Sequence, residues 1–231
     1  LGIDLVFRHD WKNAEQEFRR ALELAPESTD ALRHYAFYYL LPMRRIDEAI
    51  ALQKRAMDLD PLLPVLHWNL AATYTMVRQW DLAMAYCQSA LEVDPNSWLA
   101  HMFLGIIRGL IPIGKPEEWI HSCETGAQIA NRTSYALGLL GWAYGRFGLV
   151  DEARRILKEL EDMARSTYVL PGAFVRVLVG LGENERALDW MEIAAEDFDP
   201  SMSNSHLYPF YDPLRSHPRY HALLRKMNLE P

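Results

Sequence analysis

Three stretches decide the fold: Ala14-Glu15-Gln16-Glu17-Phe18-Arg19-Arg20-Ala21-Leu22-Glu23-Leu24-Ala25-Pro26, then Ala49-Ile50-Ala51-Leu52-Gln53-Lys54-Arg55-Ala56-Met57-Asp58-Leu59-Asp60-Pro61, then Ala83 to Pro95. Each has a small residue, an apolar face, a second alanine seven residues on and a closing proline. Working outward, the first anchor recurs at Ala14, Ala49, Ala83, Trp119, Ala153 and Ala187, at spacings of 35, 34, 36, 34 and 34 residues. The second anchor follows at Ala21, Ala56, Ala90, Gly126, Leu160 and Ala194. Self-similarity at a fixed period of this length signifies an array of stacked units.

A second helical pattern lies between these stretches. Leu32, Tyr35, Ala36 and Tyr39 open one copy; Leu70, Ala71 and Tyr74 the next; then Leu104 and Gly105; then Leu137, Leu140, Gly141 and Tyr144. Spacings of i, i+3, i+4 and i+7 mark a helix face, not strand alternation. Gly148 and Gly182 break these helices before the next begins. Each unit is therefore a helix–turn–helix of about 34 residues. Ala or Gly at the anchors lets two helix backbones approach closely. Trp11 and Trp80, three residues before their alanines, are expected beside that contact. One such hairpin cannot bury both faces, so neighbours must stack.

The period, the Leu140-Gly141…Tyr144 pattern, the small anchor residues and the terminal prolines resemble tetratricopeptide repeats. The resemblance spans roughly residues 1–200 and implies an all-α solenoid, a right-handed superhelix of about five and a half hairpins with the first incomplete. Residues 201–231 are expected to cap it, with Leu223, Leu224 and Met227 packed on the helix of Ala187 to Ala194. Trp119 and Gly126 replace both alanines in one copy, the Ile111–Pro116 turn is long, and Arg108 stands where a Tyr is usual. Asp10-Trp11-Lys12-Asn13-Ala14-Glu15 and Tyr211-Asp212-Pro213-Leu214-Arg215-Ser216-His217-Pro218-Arg219-Tyr220 further resemble a bacterial subgroup. There the repeats form the C-terminal part of larger regulators, which implies an upstream domain of the same parent protein. The absence of an initiator Met fits a processed or excised chain.

Composition narrows the functional classes. Half of the 231 residues are hydrophobic and 24% are charged, which is globular rather than disordered. The net charge of −7 disfavours a generic nucleic-acid binder, since phosphate backbones attract clustered Lys and Arg. No apolar run is long enough to span a membrane, and the N-terminus lacks a signal-peptide pattern. Two cysteines, Cys87 and Cys123, are too few for a disulfide framework and suit a reducing, cytoplasmic compartment.

Several motifs resemble chemical sites. Gly109-Leu110-Ile111-Pro112-Ile113-Gly114-Lys115 begins like a phosphate-binding loop, but Pro116 replaces the Ser or Thr that would meet magnesium. Gly138, Gly141, Gly145 and Gly148 have helical spacing, which favours close packing over a dinucleotide fingerprint. His217 and His221 could share a helix face as metal ligands, although Ser216 or His217 capping a helix begun by Pro218 is the simpler expectation. Cys87 and Cys123 occupy the same slot in adjacent copies, beyond disulfide reach, and are expected to be buried apolar residues. Asn131-Arg132-Thr133 is a glycosylation sequon by letter only. No catalytic, metal or cofactor constellation emerges.

The resemblance places the first helix of each hairpin on the concave face. The expected partner groove is Arg33, Phe37, Trp68, Asn69, Met76, Met102, Phe103, Ile106, Trp142 and Arg176, together with Ala72 and Leu139. The alternative is that these residues pack against each other in a tight superhelix. Arg33 and Asn69 fall where some family members clamp a carboxylate, but Phe37, Leu99 and Phe103 take positions that need polar residues. An apolar peptide or helix is therefore the better expectation for a partner. The implied function is a non-catalytic protein-interaction scaffold in a signalling or transcription regulator. The alternatives are an RNA-binding helical repeat and an α-helical enzyme, the latter needing a convergent acid pair in the groove.

Overall fold

The computed structural model describes residues 1–112 and 114–229. Its helices are α1 (Gly2–Phe7), α2 (Trp11–Leu24), α3 (Thr29–Tyr35, continued by a π-helical turn, Ala36–Leu40), α4 (Ile46–Leu59), α5 (Pro64–Met76), α6 (Trp80–Val93) and α7 (Trp98–Leu110). They continue as α8 (Pro116–Ile129), α9 (Ser134–Arg146), α10 (Val150–Met163), α11 (Pro171–Gly180), α12 (Asn184–Glu196) and α13 (Pro218–Lys226). No strand occurs among the described residues. Consecutive helices pair as hairpins, α1 with α2 through α11 with α12, and each hairpin stacks on the next. The first helices α5, α7, α9 and α11 also touch one another in series, forming the inner layer.

The turn within each hairpin repeats as faithfully as the helices. His9, Arg44, Arg78, Gly114, Gly148 and Gly182 all have left-handed backbone, with φ of 59°, 57°, 60°, 83°, 86° and 76°. They share the repeat spacing, so one conformation closes every hairpin. The non-glycine copies accept a conformation that costs roughly 1–2 kcal/mol for L-residues. Gly148 and Gly182 were expected as breakers; the His and Arg members carry no such signal in their letters.

Small residues set the helix separations. Ala83 and Ala187 are fully buried. A Cβ on Gly126 of α8 would lie 2.6 Å from the Trp98 carbonyl oxygen of α7, so only glycine admits this approach. Gly138, Gly141 and Gly145 of α9 face Ala173, Val177 and Gly180 of α11. Their helical spacing thus serves packing, as expected.

Beyond α12 the chain departs from the repeat. Two 3₁₀ turns, Pro200–Met202 and Pro209–Leu214, carry it across the inner layer. Asn204 Nδ2 donates to Phe37 O at 3.1 Å, and His206 Nε2 lies 3.0 Å from Pro42 O. The Phe210 ring stands 6.0 Å from Phe103 and 5.0 Å from Trp142. Helix α13 then packs on α12 and buries Leu223 and Leu224, with Met227 following. Its outer face is polar: Arg219 pairs with Glu185, Asp189 and Glu192. Met227 O accepts from Trp11 Nε1 at 2.8 Å, across 216 positions of sequence. Asn228 Nδ2 reaches His9 O at 3.4 Å. The two ends of the array therefore meet, and the solenoid closes on itself.

Candidate ligand pocket at the rim of the concave face

The anchor for the C-terminal segment is built locally in α3. In its π-helical turn Leu41 N bonds Ala36 O at 3.0 Å, five residues back. The next donor in that register would be residue 42, which is a proline and has no N–H. Phe37 O is thereby left to a partner elsewhere, and Asn204 supplies it. A second anchor is ionic: Arg78 Nη2 meets both Asp212 oxygens, at 2.7 and 2.9 Å.

The segment lies against Phe37, Phe103 and Trp142 of the expected groove. Met76, Met102, Phe103, Ile106 and Trp142 are buried, as is Asn69. Arg33 is committed to Asp30 at 2.7 Å. Of the expected centre Trp68, Met102, Phe103 and Trp142, Trp68 is half-buried and the other three are buried. Phe103 and Trp142 pack against Tyr208 and Phe210 of the segment, because burying that aromatic surface is more favourable than hydrating it. Of the expected residues, Phe37, Trp68 and Arg176 come together, at one edge of the segment.

There a cavity of about 300 Å³ opens between the first helices and the segment. Its buried lining is Phe37, Arg176, Ser203, Asn204, Tyr208, Phe210 and Tyr211, and its mouth Tyr38, Trp68, Trp98, Leu99 and Tyr135, with Ser201 half-buried and Pro200 exposed. The mouth residues are half-buried, so the cavity is reachable from solvent. Aromatic contacts continue along the rim: Phe7 to Tyr38, Phe37 to Trp68, and Trp98 to Tyr135.

Arg176 is the only charged residue of α11 and of the cavity lining. Its guanidinium lies 4.3 Å above the Tyr135 ring, a cation–π contact. Burial opposes its charge, and Tyr211, Tyr135 and Asp199 offset that cost. Asp199 uses both oxygens on backbone donors: Gly172 N at 2.7 Å and Ser201 N at 2.8 Å. A Cβ on Gly172 would meet Ser201 Oγ at 2.1 Å, so this tie requires glycine. Burial pushes the Tyr211 hydroxyl up to about 12, which keeps it protonated and able to donate.

Sequence reasoning missed Tyr38, Trp98, Tyr135 and every lining residue from the C-terminal segment. The run Tyr208-Pro209-Phe210-Tyr211 is conspicuously aromatic for a solvent-facing cap, and that was the available signal.

The other motifs resolve structurally. His217 Nδ1 accepts from Arg219 N at 3.2 Å, capping α13, while Nε2 meets Glu185 at 2.9 Å. Among the described residues no cluster of His, Cys, Asp or Glu could hold a metal ion. Cys87 and Cys123 are free and buried; burial raises both thiols, Cys87 to about 12. Gly109 lies in the last turn of α7, and the turn to α8 follows a helix rather than a strand; Ile113 of that stretch lies outside the described residues. Asn131 and Arg132 form a left-handed turn before α9. No helix among the described residues is long and apolar enough to cross a membrane.

No family model matches the chain. Solved structures do. A protein titled "Functional Characterization of Pseudomonas Aeruginosa pilF" matches with a TM-score of 0.57 at 16% identity, covering 99% of this chain and 93% of that one. MamA matches with a TM-score of 0.54 at 20% identity, over 71% of this chain and 97% of that one. A tetratricopeptide repeat protein from Parabacteroides merdae matches with a TM-score of 0.51 at 15% identity, over 98% and 89%. The chain has the tetratricopeptide-repeat fold.

Proposed function

We propose that this chain is a non-catalytic protein-interaction module. It holds a peptide or helix against the aromatic rim that its own C-terminal segment leaves uncovered. One observation carries this: Tyr38, Trp68, Trp98 and Tyr135, on the first helices of four successive hairpins, stay half-exposed while Met76, Met102, Phe103, Ile106 and Trp142 are buried. Tyr and Trp on a rigid scaffold supply large contact area at low entropic cost and dominate interface energies. The fold supports the reading, since stacked hairpins present a continuous inner surface.

The sequence signatures at Asp10–Glu15 and Tyr211–Tyr220 suit a part of a larger bacterial signalling or transcription regulator. They now gain a physical sense, because they contain two closure contacts of the solenoid, Trp11 to Met227 and Asp212 to Arg78. The partner is then an upstream domain of the same parent or a separate protein. Two buried free thiols fit a reducing, cytoplasmic setting.

A peptide-display selection against the purified chain should enrich binders. Their affinity should fall about tenfold or more in Trp98→Ala and Tyr38→Ala, with melting temperature little changed. Enriched peptides that bind both variants normally would sink the rim as the docking surface. Salt-sensitive binding of single-stranded RNA, lost in Trp98→Ala, would replace the protein partner by RNA.

A further inference from the structure

We propose that the cavity behind the aromatic rim binds a small organic monoanion, a carboxylate on a flat apolar body, with Arg176 as its counter-ion. The site goes beyond the docking of a protein on the rim, and it can be filled whether or not a protein sits outside it.

The first observation is an accumulation of unused hydrogen-bonding groups. Eleven buried side-chain polar atoms among the described residues have no protein partner. Five of them, Trp68 Nε1, Arg176 Nη1, Ser201 Oγ, Asn204 Oδ1 and Tyr211 OH, belong to residues that line this one cavity, with Tyr211 beside Arg176 and Ser201 Oγ turned to Gly172. Buried polar groups in proteins are normally satisfied, and leaving one unpaired costs free energy. A single orphan is ordinary; several on the residues of one reachable cavity, a buried guanidinium among them, mark where a ligand would find unspent hydrogen-bonding groups.

The second observation is the character of that set. Trp68 and Arg176 can only donate, while Ser201 and Tyr211 can donate and accept. Asn204 has spent its amide N–H on Phe37 O and offers its oxygen as an acceptor. Donors outnumber that acceptor, and the lone cation has no carboxylate beside it in the lining. Asp199, the nearest anion that steadies Arg176, is held by Gly172 N and Ser201 N. A ligand with one negative charge and planar acceptor oxygens matches the guanidinium fork. One buried cation suits a monoanion better than a phosphate dianion, whose second charge would find no partner.

The walls define the rest of the ligand. A lining rich in aromatic residues, with Trp68, Trp98 and Tyr135 at the mouth, favours a flat apolar body. The volume of about 300 Å³ is at the lower end for ligand sites and suits a small molecule. Asn204 Oδ1 adds a preference for a hydroxyl or N–H on that body.

The test uses the whole chain and tryptophan fluorescence, since Trp68 and Trp98 lie at the mouth. The probes are benzoate, 4-hydroxyphenylacetate, indole-3-acetate and hexanoate, each with its uncharged amide, and inorganic phosphate. At least one aromatic carboxylate should bind about tenfold or more tighter than its amide, and phosphate should bind weakly or not at all. Arg176→Met should keep its fold, because replacing a buried charge by an apolar side chain of similar length is often neutral or stabilising, and should lose the preference for carboxylate over amide. Leu99→Trp, which narrows the mouth without touching the cation, should weaken every probe and keeps the test decisive if Arg176→Met misfolds. The proposal is overturned if no carboxylate binds up to about 10 mM, far weaker than a specific site. It is equally overturned if amides or phosphate bind as well as carboxylates, or if folded Arg176→Met retains the preference. Peptide binding at the rim can survive any of these outcomes, so the two proposals fail separately.

Discussion

His206 shows how one side chain ties the stability of the C-terminal segment to pH. It is buried, its Nε2 faces Pro42 O, and its Nδ1 has no partner. Burial, aided by the Arg44 and Arg215 cations and opposed by the Pro42 carbonyl, pushes its pKa down to about 4 from 6.5. In the folded chain the ring is neutral; in the unfolded chain it takes up a proton near pH 6.5. Its stabilising contribution is therefore complete above that pH and is lost as pH falls towards 4. The loss amounts to about 3 kcal/mol at most. Urea midpoints measured between pH 7 and 4.5 should fall steadily, and His206→Gln should flatten the profile. An unchanged slope would assign the acid sensitivity elsewhere. Glu15 acts in a lower window. Hydrogen bonding to Arg19, opposed by burial and reinforced by Tyr39 and Arg45, lowers it to about 2. Its contribution is present above about 4.5 and is lost as pH falls towards 2.

At the scale of elements, the crossing of α7 and α8 depends on glycine more than on the alanines that mark other copies. Gly126→Ala forces a methyl against the Trp98 carbonyl and the Met102 amide, both backbone atoms that cannot rotate away. Destabilisation of about 1–3 kcal/mol is expected by denaturant titration, through overpacking. An unaltered midpoint would mean that the two helices separate at little cost. The same loss is expected for Ala83→Leu on α6, whose anchor is fully buried. These contacts could be read from sequence because small residues recur at a fixed period. The left-handed turns at His9, Arg44 and Arg78 could not, because their conformation comes from helix pairing rather than from residue type.

Across the whole molecule, closure is the property that most affects function. Removing residues 200–231 should uncover Phe103 and Trp142, now packed against Tyr208 and Phe210 of the segment. The truncated chain should bind a hydrophobic dye strongly, melt at lower temperature and aggregate. A soluble truncation as stable as the intact chain would show that the segment is no part of the core. Trp11→Phe tests the junction of the two ends more gently. It removes the donor to Met227 O and should cost about 1 kcal/mol. Hydrogen exchange should then quicken at both ends of the chain; quickening at one end alone would argue against a coupled closure.

The repeat and its helices are written in the sequence because they rest on local spacing: anchors seven apart, units about 34 apart, breakers between them. So were Phe37, Trp68 and Arg176 as residues of the inner layer. Whether that layer stood open was decided only by the tertiary structure. Residues 200–217 carry no repeat, and several of their partners are far away in sequence, Asn204 to Phe37 by 167 positions, His206 to Pro42 by 164 and Asp212 to Arg78 by 134. Such pairings depend on how tightly the stacked hairpins curve, which is the accumulated result of every helix crossing. A residue's letter and its neighbours do not contain that curvature. The cavity around Arg176 exists because the returning segment lies against Phe37, Phe103 and Trp142 of the inner layer and stops short of the rim.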